Sequence, residues 1–319
     1  MQEPASATRV AAGPAGRLSR DEPLGFLLVF LSAVVWSFGG AIARFLSTDD
    51  SWTVVFWRSL WAVIFLLAFM AWRDGLRGTR RLFGAMGLPG LGVALCFTAA
   101  STCFVVALGY TTVANILLMQ AGVPLIAALL AWLLFREAVA PATWAAIAAV
   151  IFGIAVMVSE SLSGTTSAVG NGLAMVIALS LSGATVITRR FAHVRMVPAT
   201  CLGAVFGMLL AAPQATSLAV STADMAVLFL FGAVNLGVGL ALFASGVRLI
   251  PAAFAALLGT FETLLGPVWV WLIHGEVPSA RTVIGGSIVF VALLLHIGRE
   301  FRRQAMPARP GTTGMPSPN

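Results

Sequence analysis

Glu262 stands in AALLGTFETLLGPVWVW (255–271), a stretch that otherwise reads as the middle of an apolar helix. A carboxylate at the centre of a bilayer costs about 2.5–3.5 kcal/mol on insertion scales, so it has to face protein or water rather than lipid. Two kinds of chemistry fit it. It can receive a substrate ammonium or exchange a proton, or it can be a structural carboxylate held by an Arg or by hydroxyls between helices. Pro267, five residues on, removes a backbone donor, which predicts a kink beyond the Glu and a carbonyl freed toward a cavity. Arg58, in VVFWRSLWAVIFLL, admits a bidentate clamp on a substrate carboxylate or a structural role, snorkelling to headgroups or tying helices together, and the structural role is favoured. Asn235, Asn115 and Gln120 carry amides that must find a partner or water within the membrane. Trp36 falls near the middle of its apolar run, where an indole either lines a cavity or fills the core. Glu262, Asn235, Gln120, Trp36, Asn115 and Arg58 are therefore the candidate substrate-binding residues. Cys96, Cys103 and Cys201 lie in apolar runs without a CxxC and read as packing residues, so no metal, catalytic group or cofactor is expected.

The elements that must position these residues are set by composition. Of 319 residues, 59% are hydrophobic and only 10% charged, against about a quarter charged in a soluble domain. The mean hydropathy of +0.97 agrees. The chain reads as an all-α integral membrane protein. A spanning helix needs about 20 mostly apolar residues, and ten runs qualify to within a few residues at each end: 24–46, 52–72, 84–107, 113–135, 142–159, 171–188, 197–213, 224–246, 250–273 and 281–298. The tails, 1–22 and 304–319, are rich in Pro, Gly and Ala and read as disordered. Ten spans put both termini on one side. With the termini in the cytoplasm, every Arg except Arg44, Arg281 and the intramembrane Arg58 falls inside, and the outer loop STDDS carries acid but no base. That bias predicts N-in, C-in. The formal charge of +7 then belongs to topology and anionic lipid rather than to nucleic acid.

The chain also repeats. LIAALLAWLLFREAVAPATW (125–144) lies over LLGPVWVWLIHGEVPSARTV (264–283), each with a Trp five residues before a Glu and a Pro soon after: Trp132, Glu137 and Pro141; Trp271, Glu276 and Pro278. Upstream, VWSFGGAIAR (35–44) lies over LSLSGATVITR (179–189). Five helices per unit is an odd number, so the second unit is inverted relative to the first, as in many secondary transporters. Glu137 and Glu276 read as boundary residues that pair with nearby Arg. Arg44 reads as an anchor, and His193, His274 and His296 as bland residues at membrane edges.

With these segments in view, the sequence resembles the drug/metabolite transporter superfamily, in particular EamA-type ten-helix proteins. The segments VVWSFGGAIARF, VVFWRSLWAVIFLL, the paired VPLIAALLAWLLFREAV and GPVWVWLIHGEVPS, and FETLLGPVWVW carry the likeness. It implies two EamA-like five-helix repeats, 24–159 and 171–298. It also implies a transporter of small metabolites such as amino acids, often outward. One departure is Gly203, which stands where a mate for Arg58 would map.

The reading favoured is a multi-pass exporter of a small polar metabolite in a bacterial-type inner membrane. It would work by alternating access about Glu262, either proton-coupled or as a uniporter, in contact with membrane lipids, and as monomer or homodimer. An integral membrane enzyme acting on a lipid-like substrate, or a channel, are the alternatives. The enzyme reading is weak. The chain has no Lys for a Walker-type loop or a Schiff base, no HxxxH, and its acidic pair Asp49–Asp50 sits in a short loop.

Overall fold

The computed structural model describes residues 22–137, 139–162, 167–191 and 195–305. Of the expected tails, only Glu22, which opens the first helix, and 304–305, which close the last, fall within these bounds; His193 also lies outside them. Every described element is a helix. In chain order they are α1 (Glu22–Ala43), α2 (Ser51–Gly84), α3 (Gly87–Ala107), α4 (Val113–Gln120), α5 (Val123–Phe135), α6 (Pro141–Leu162), α7 (Ala168–Arg190), α8 (Met196–Ala211), α9 (Thr222–Gly246), α10 (Ala252–His274) and α11 (Ala280–Ala305). Eight of the described helices are long and apolar enough to cross a membrane, and a ninth span forms if α4 and α5 count as one. The run expected over 197–213 becomes α8, apolar and 16 residues long, shorter than any of the eight, and packed along α2 and α3.

Most expected runs are found within a few residues, and the departures have local causes. α2 extends past its apolar part: Gly75 (φ 70°, ψ 165°) interrupts the helical backbone, and the continuation to Gly84 carries Arg77, Arg80 and Arg81. α4 and α5 meet at a 44° bend at Ala121–Gly122, where Pro124 in the first turn of α5 has no N–H to offer the preceding turn. α1 breaks at Phe38 because the Asn235 side-chain amide donates to the carbonyls of Val35 (2.6 Å) and Trp36 (3.3 Å), drawing acceptors off the helical ladder. Asn235 itself lies in a π-helical stretch of α9, Leu230–Val238. Within that stretch Gly232 lies against the Arg58 carbonyl and Gly237 against Phe65, and just beyond it Gly239 lies against the Trp36 indole. By contrast, α10 runs unbroken through Pro267, so the expected kink does not interrupt the helix.

The repeat seen in the sequence organises the packing. α3 packs on α7 and α8, and its counterpart α9 packs on α1 and α2. α5 packs on α7, and its counterpart α10 on α1. α2 pairs with its own counterpart α8, and α6 with its counterpart α11. Exchanging the repeats therefore maps this contact pattern onto itself, and the largest interfaces run between repeats rather than within them. At the α6–α11 crossing two backbones touch: a Cβ on Gly153 would meet the Gly285 carbonyl at 2.6 Å, and one on Gly285 would strike the Gly153 carbonyl. Small residues permit this approach where lipid gives helices no hydrophobic drive to associate.

Outside the spans, Asp50 closes the loop end of α2. Its carboxylate accepts from the Trp52 N–H (2.9 Å), the Thr53 hydroxyl (3.0 Å), and the Thr216 N–H and hydroxyl (2.8 Å each), joining the α1–α2 and α8–α9 loops. Burial pushes its pKa up, but the bonds from Thr216, Trp52 and Thr53 outweigh that and hold it at about 2. A depressed carboxyl stabilises the fold above its unfolded value near 3.8, and that contribution is lost as pH falls through the folded value. Asp50→Ala should cost about 1 kcal/mol for the cap alone. In a thermal melt series from pH 6 to pH 2, the gap between wild type and variant should close at the acid end.

Candidate functional site

Of the six candidate residues, Glu262 has the barest surroundings. On a helix of 3.6 residues per turn it falls on the side of α10 that carries the buried Ala255, Gly266 and Val270. The exposed stripe Leu264, Val268 and Trp271 faces the other way, toward lipid. α10 runs alongside α1 through Phe26–Phe254 and Phe30–Phe261 edge contacts, a Phe38–Trp269 stack and a Trp269 indole bond to the Ser37 hydroxyl (3.0 Å). α10 also packs on α4, where Leu117 touches Gly266, one turn beyond Glu262. One turn before it, a Cβ on Gly259 would meet nothing within 4 Å. Glu262 is half-buried, and no hydrogen bond or ion pair engages its carboxylate among the described residues. An ionisable group on the interior side of a spanning helix, beside open space and without a partner, is suited to binding a cation or proton.

Trp36 and Asn235 lie on the neighbouring strip of α1 and α9. Trp36 is half-buried against Phe243 (5.4 Å between rings) and Gly239, and Asn235 spends its amide on the α1 carbonyls. Gln120 ends α4 at the bend and is half-buried. Asn115 is drawn elsewhere. Its amide donates to the Thr111 hydroxyl (3.0 Å) and to the Asn171 side chain (2.6 Å), tying α4 to α7, while its own Oδ1 is buried without a partner. Asn171, at the very start of its apolar run, was not singled out in the sequence; only its place opposite the α3–α4 turn gives it a role.

Arg58 is 7% exposed, within the bundle between α2, α3 and α9. Its Nη1 donates to the Ser101 hydroxyl (2.8 Å), and the guanidinium lies 4.3 Å from the Phe231 ring centre and 5.7 Å from that of Phe104. Among the described residues no carboxylate pairs with it, and its Nε has no partner. These contacts join α2, α3 and α9 around Arg58. α2 and α10 make no substantial interface, so Arg58 and Glu262 belong to different walls of the bundle. A surface groove of about 470 Å³ lined by Trp61, Thr222, Met225, Ala226, Phe229 and Leu230 includes none of the six.

The boundary acids do meet arginines, across the repeats. Glu276, just past α10, pairs with Arg44, just past α1, at 2.8 Å; Glu137, just past α5, pairs with Arg189, at the end of α7, at 3.6 Å. His274 approaches the Ala41 carbonyl at 3.0 Å.

Two comparisons with known proteins bear on this arrangement. The model of the EamA-like transporter family matches residues 23–159 and again 168–298. Among solved structures, one described as "Crystal structure of protein" superposes with a TM-score of 0.59 over 89% of this chain and 100% of its own, at 17% identity, which speaks to the fold alone. No curated protein matches the chain. The two matched segments coincide with the two interleaved repeats of helices and together span most of the sequence, so this multi-pass membrane protein belongs to the EamA-like transporter family.

Proposed function

We propose that this chain is a secondary transporter that exports a small polar metabolite by alternating access, with Glu262 in its central site. Family membership supports transport of a small molecule across a membrane. The observation that carries the finer reading is the unpartnered Glu262 carboxylate on the interior side of α10, beside the open space at Gly259. A carboxylate so placed favours substrates with an ammonium group, amino acids among them, and can pass a proton when the substrate leaves. Trp36 and Gln120 stand on α1 and α4, the two helices against which α10 packs most, while Asn235 binds α1, Asn115 binds α7 and Arg58 lies on another wall. The arginine bias supports cytoplasmic termini, and the reading takes the membrane to be a bacterial-type inner one. In that orientation the Arg44–Glu276 end faces outward and the Glu137–Arg189 end inward. Two repeats suffice to enclose the site, so a monomer can work as well as a homodimer, and nothing in the reading calls for enzymatic chemistry.

The test is a thermal-shift screen of the purified protein against amino acids, nucleosides, vitamins and sugars, run in parallel on Glu262→Gln. A cationic or zwitterionic compound should stabilise the wild type and lose most of that effect on the variant. A ligand that stabilises both equally would remove Glu262 from the site while leaving the transporter reading intact.

A further inference from the structure

The two Glu–Arg pairs at opposite ends of the bundle are related by the repeat, but they are not in the same state. Glu276 is Glu137 displaced by 139 residues, and Arg44 and Arg189 end the first helix of each repeat. At one end the contact is complete. Arg44 Nε donates to the Glu276 carboxylate at 3.0 Å, its Nη1 to the Leu108 carbonyl at 2.8 Å and its Nη2 to the Thr111 carbonyl at 3.3 Å. The second Glu276 oxygen accepts from the Val113 N–H at 2.7 Å, at the start of α4. Four elements, α1, α3, α4 and α10, are thus held by one partly buried knot, whose side chains are 31% and 18% exposed. At the other end Arg189 and Glu137 stand 3.6 Å apart, 62% and 45% exposed, with no further hydrogen bond among the described residues. The 139-residue displacement maps Leu108, Thr111 and Val113 onto Val247, Ile250 and Ala252, in the turn from α9 into α10. Arg189 reaches none of that turn.

We propose that Arg44–Glu276 and Arg189–Glu137 are alternating gates, and that the structure shows the first closed and the second released. In the opposite conformation Arg189 takes the carbonyls of Val247 and Ile250, Glu137 accepts from the Ala252 N–H, and the Arg44 knot opens. The asymmetry is informative because the same residue types, at equivalent positions in a pseudo-symmetric bundle, make one full set of bonds and one vestigial set. A bundle in which both sets closed at once would seal the site at both ends, so exchange between them is what gives each side access in turn. A charge-assisted knot of this kind is strong enough to set the balance between two conformations of similar free energy. The proposal rests on the transporter reading above.

Its test needs no substrate. In the full chain with Cys96, Cys103 and Cys201 replaced, spin labels go at Phe45 and Val277 beside one gate and, in a second sample, at Arg190 and Ala140 beside the other. Pulsed dipolar spectroscopy in lipid nanodiscs then reads each distance distribution. Both samples should show two populations. Glu276→Gln should shift the balance about tenfold toward the form open at the Arg44 end, and at the same time shorten the distance at the far, Arg189 end. Glu137→Gln should shift both distances the opposite way. A merely structural role for Glu276 would loosen its own end and leave the far end unmoved, which would overturn the proposal. Two populations that neither substitution moves would overturn the gates and leave alternating access standing. A single fixed population at both ends would count against alternating access itself.

Discussion

Gly153→Leu should strongly destabilise the membrane-embedded bundle. At that position a Cβ would lie 2.6 Å from the Gly285 carbonyl, 2.8 Å from a Val289 methyl and 3.2 Å from the Val289 N–H. Two of these three neighbours are backbone, which cannot swing aside as a side-chain end would. Overpacking costs about 1–3 kcal/mol where neighbours can adjust; here α6 and α11 must separate along their length, and a loss of about 3 kcal/mol or more follows. Gly298→Leu, on the same α11 but with nothing within 4 Å of its Cβ, is the control, expected within about 0.5 kcal/mol. Melting in detergent, read by fluorescence-detected size exclusion, separates the two. Equal behaviour would mean that the α6–α11 backbone contact does not hold the repeats together.

Glu262→Gln should cut substrate flux about 10- to 100-fold, the loss expected when a hydrogen bond to a charged group goes from a site, while the folded protein survives. Gln keeps the shape and removes only the charge, and no partner among the described residues is left stranded by the change. Flux into proteoliposomes under an imposed pH gradient distinguishes the two jobs open to the carboxylate. If it carries the proton, wild-type flux responds to the gradient and the variant's residual flux does not. If it only holds the substrate, both respond alike. Undiminished flux in the variant would return Glu262 to a structural role.

Much of the helical frame was legible because lipid leaves the backbone few options. Apolar runs of near-spanning length had to be helices, and those at α3, α7 and α10 appear within a few residues of their expected ends. The repeated Trp–Glu–Pro spacing pointed to Glu137 and Glu276, and both meet an Arg. What stayed hidden was tertiary. The break in α1 depends on Asn235, 200 residues away, taking the Val35 carbonyl. The π-helical stretch of α9 lies against Arg58 and Phe65 on α2, and no local propensity announces it. α8 ends at Ala211, two residues before its apolar run does, where the chain turns toward the loop that Asp50 holds. For the site, hydropathy marked Glu262 as anomalous, but it could not say that Asn115 would be spent on Asn171 or that Arg58 would lie against Phe231.

The interleaving of the repeats bears on how such a chain is made. Because α3 finds its main partners in α7 and α8, and α1 in α9 and α10, the first half emerges from the ribosome with its principal surfaces uncovered. It must wait in the bilayer, exposed to insertion chaperones and membrane proteases, until the second half arrives. Truncated chains should therefore be cleared rather than accumulate, and a single repeat would need a second copy, separate or fused, to cover those surfaces.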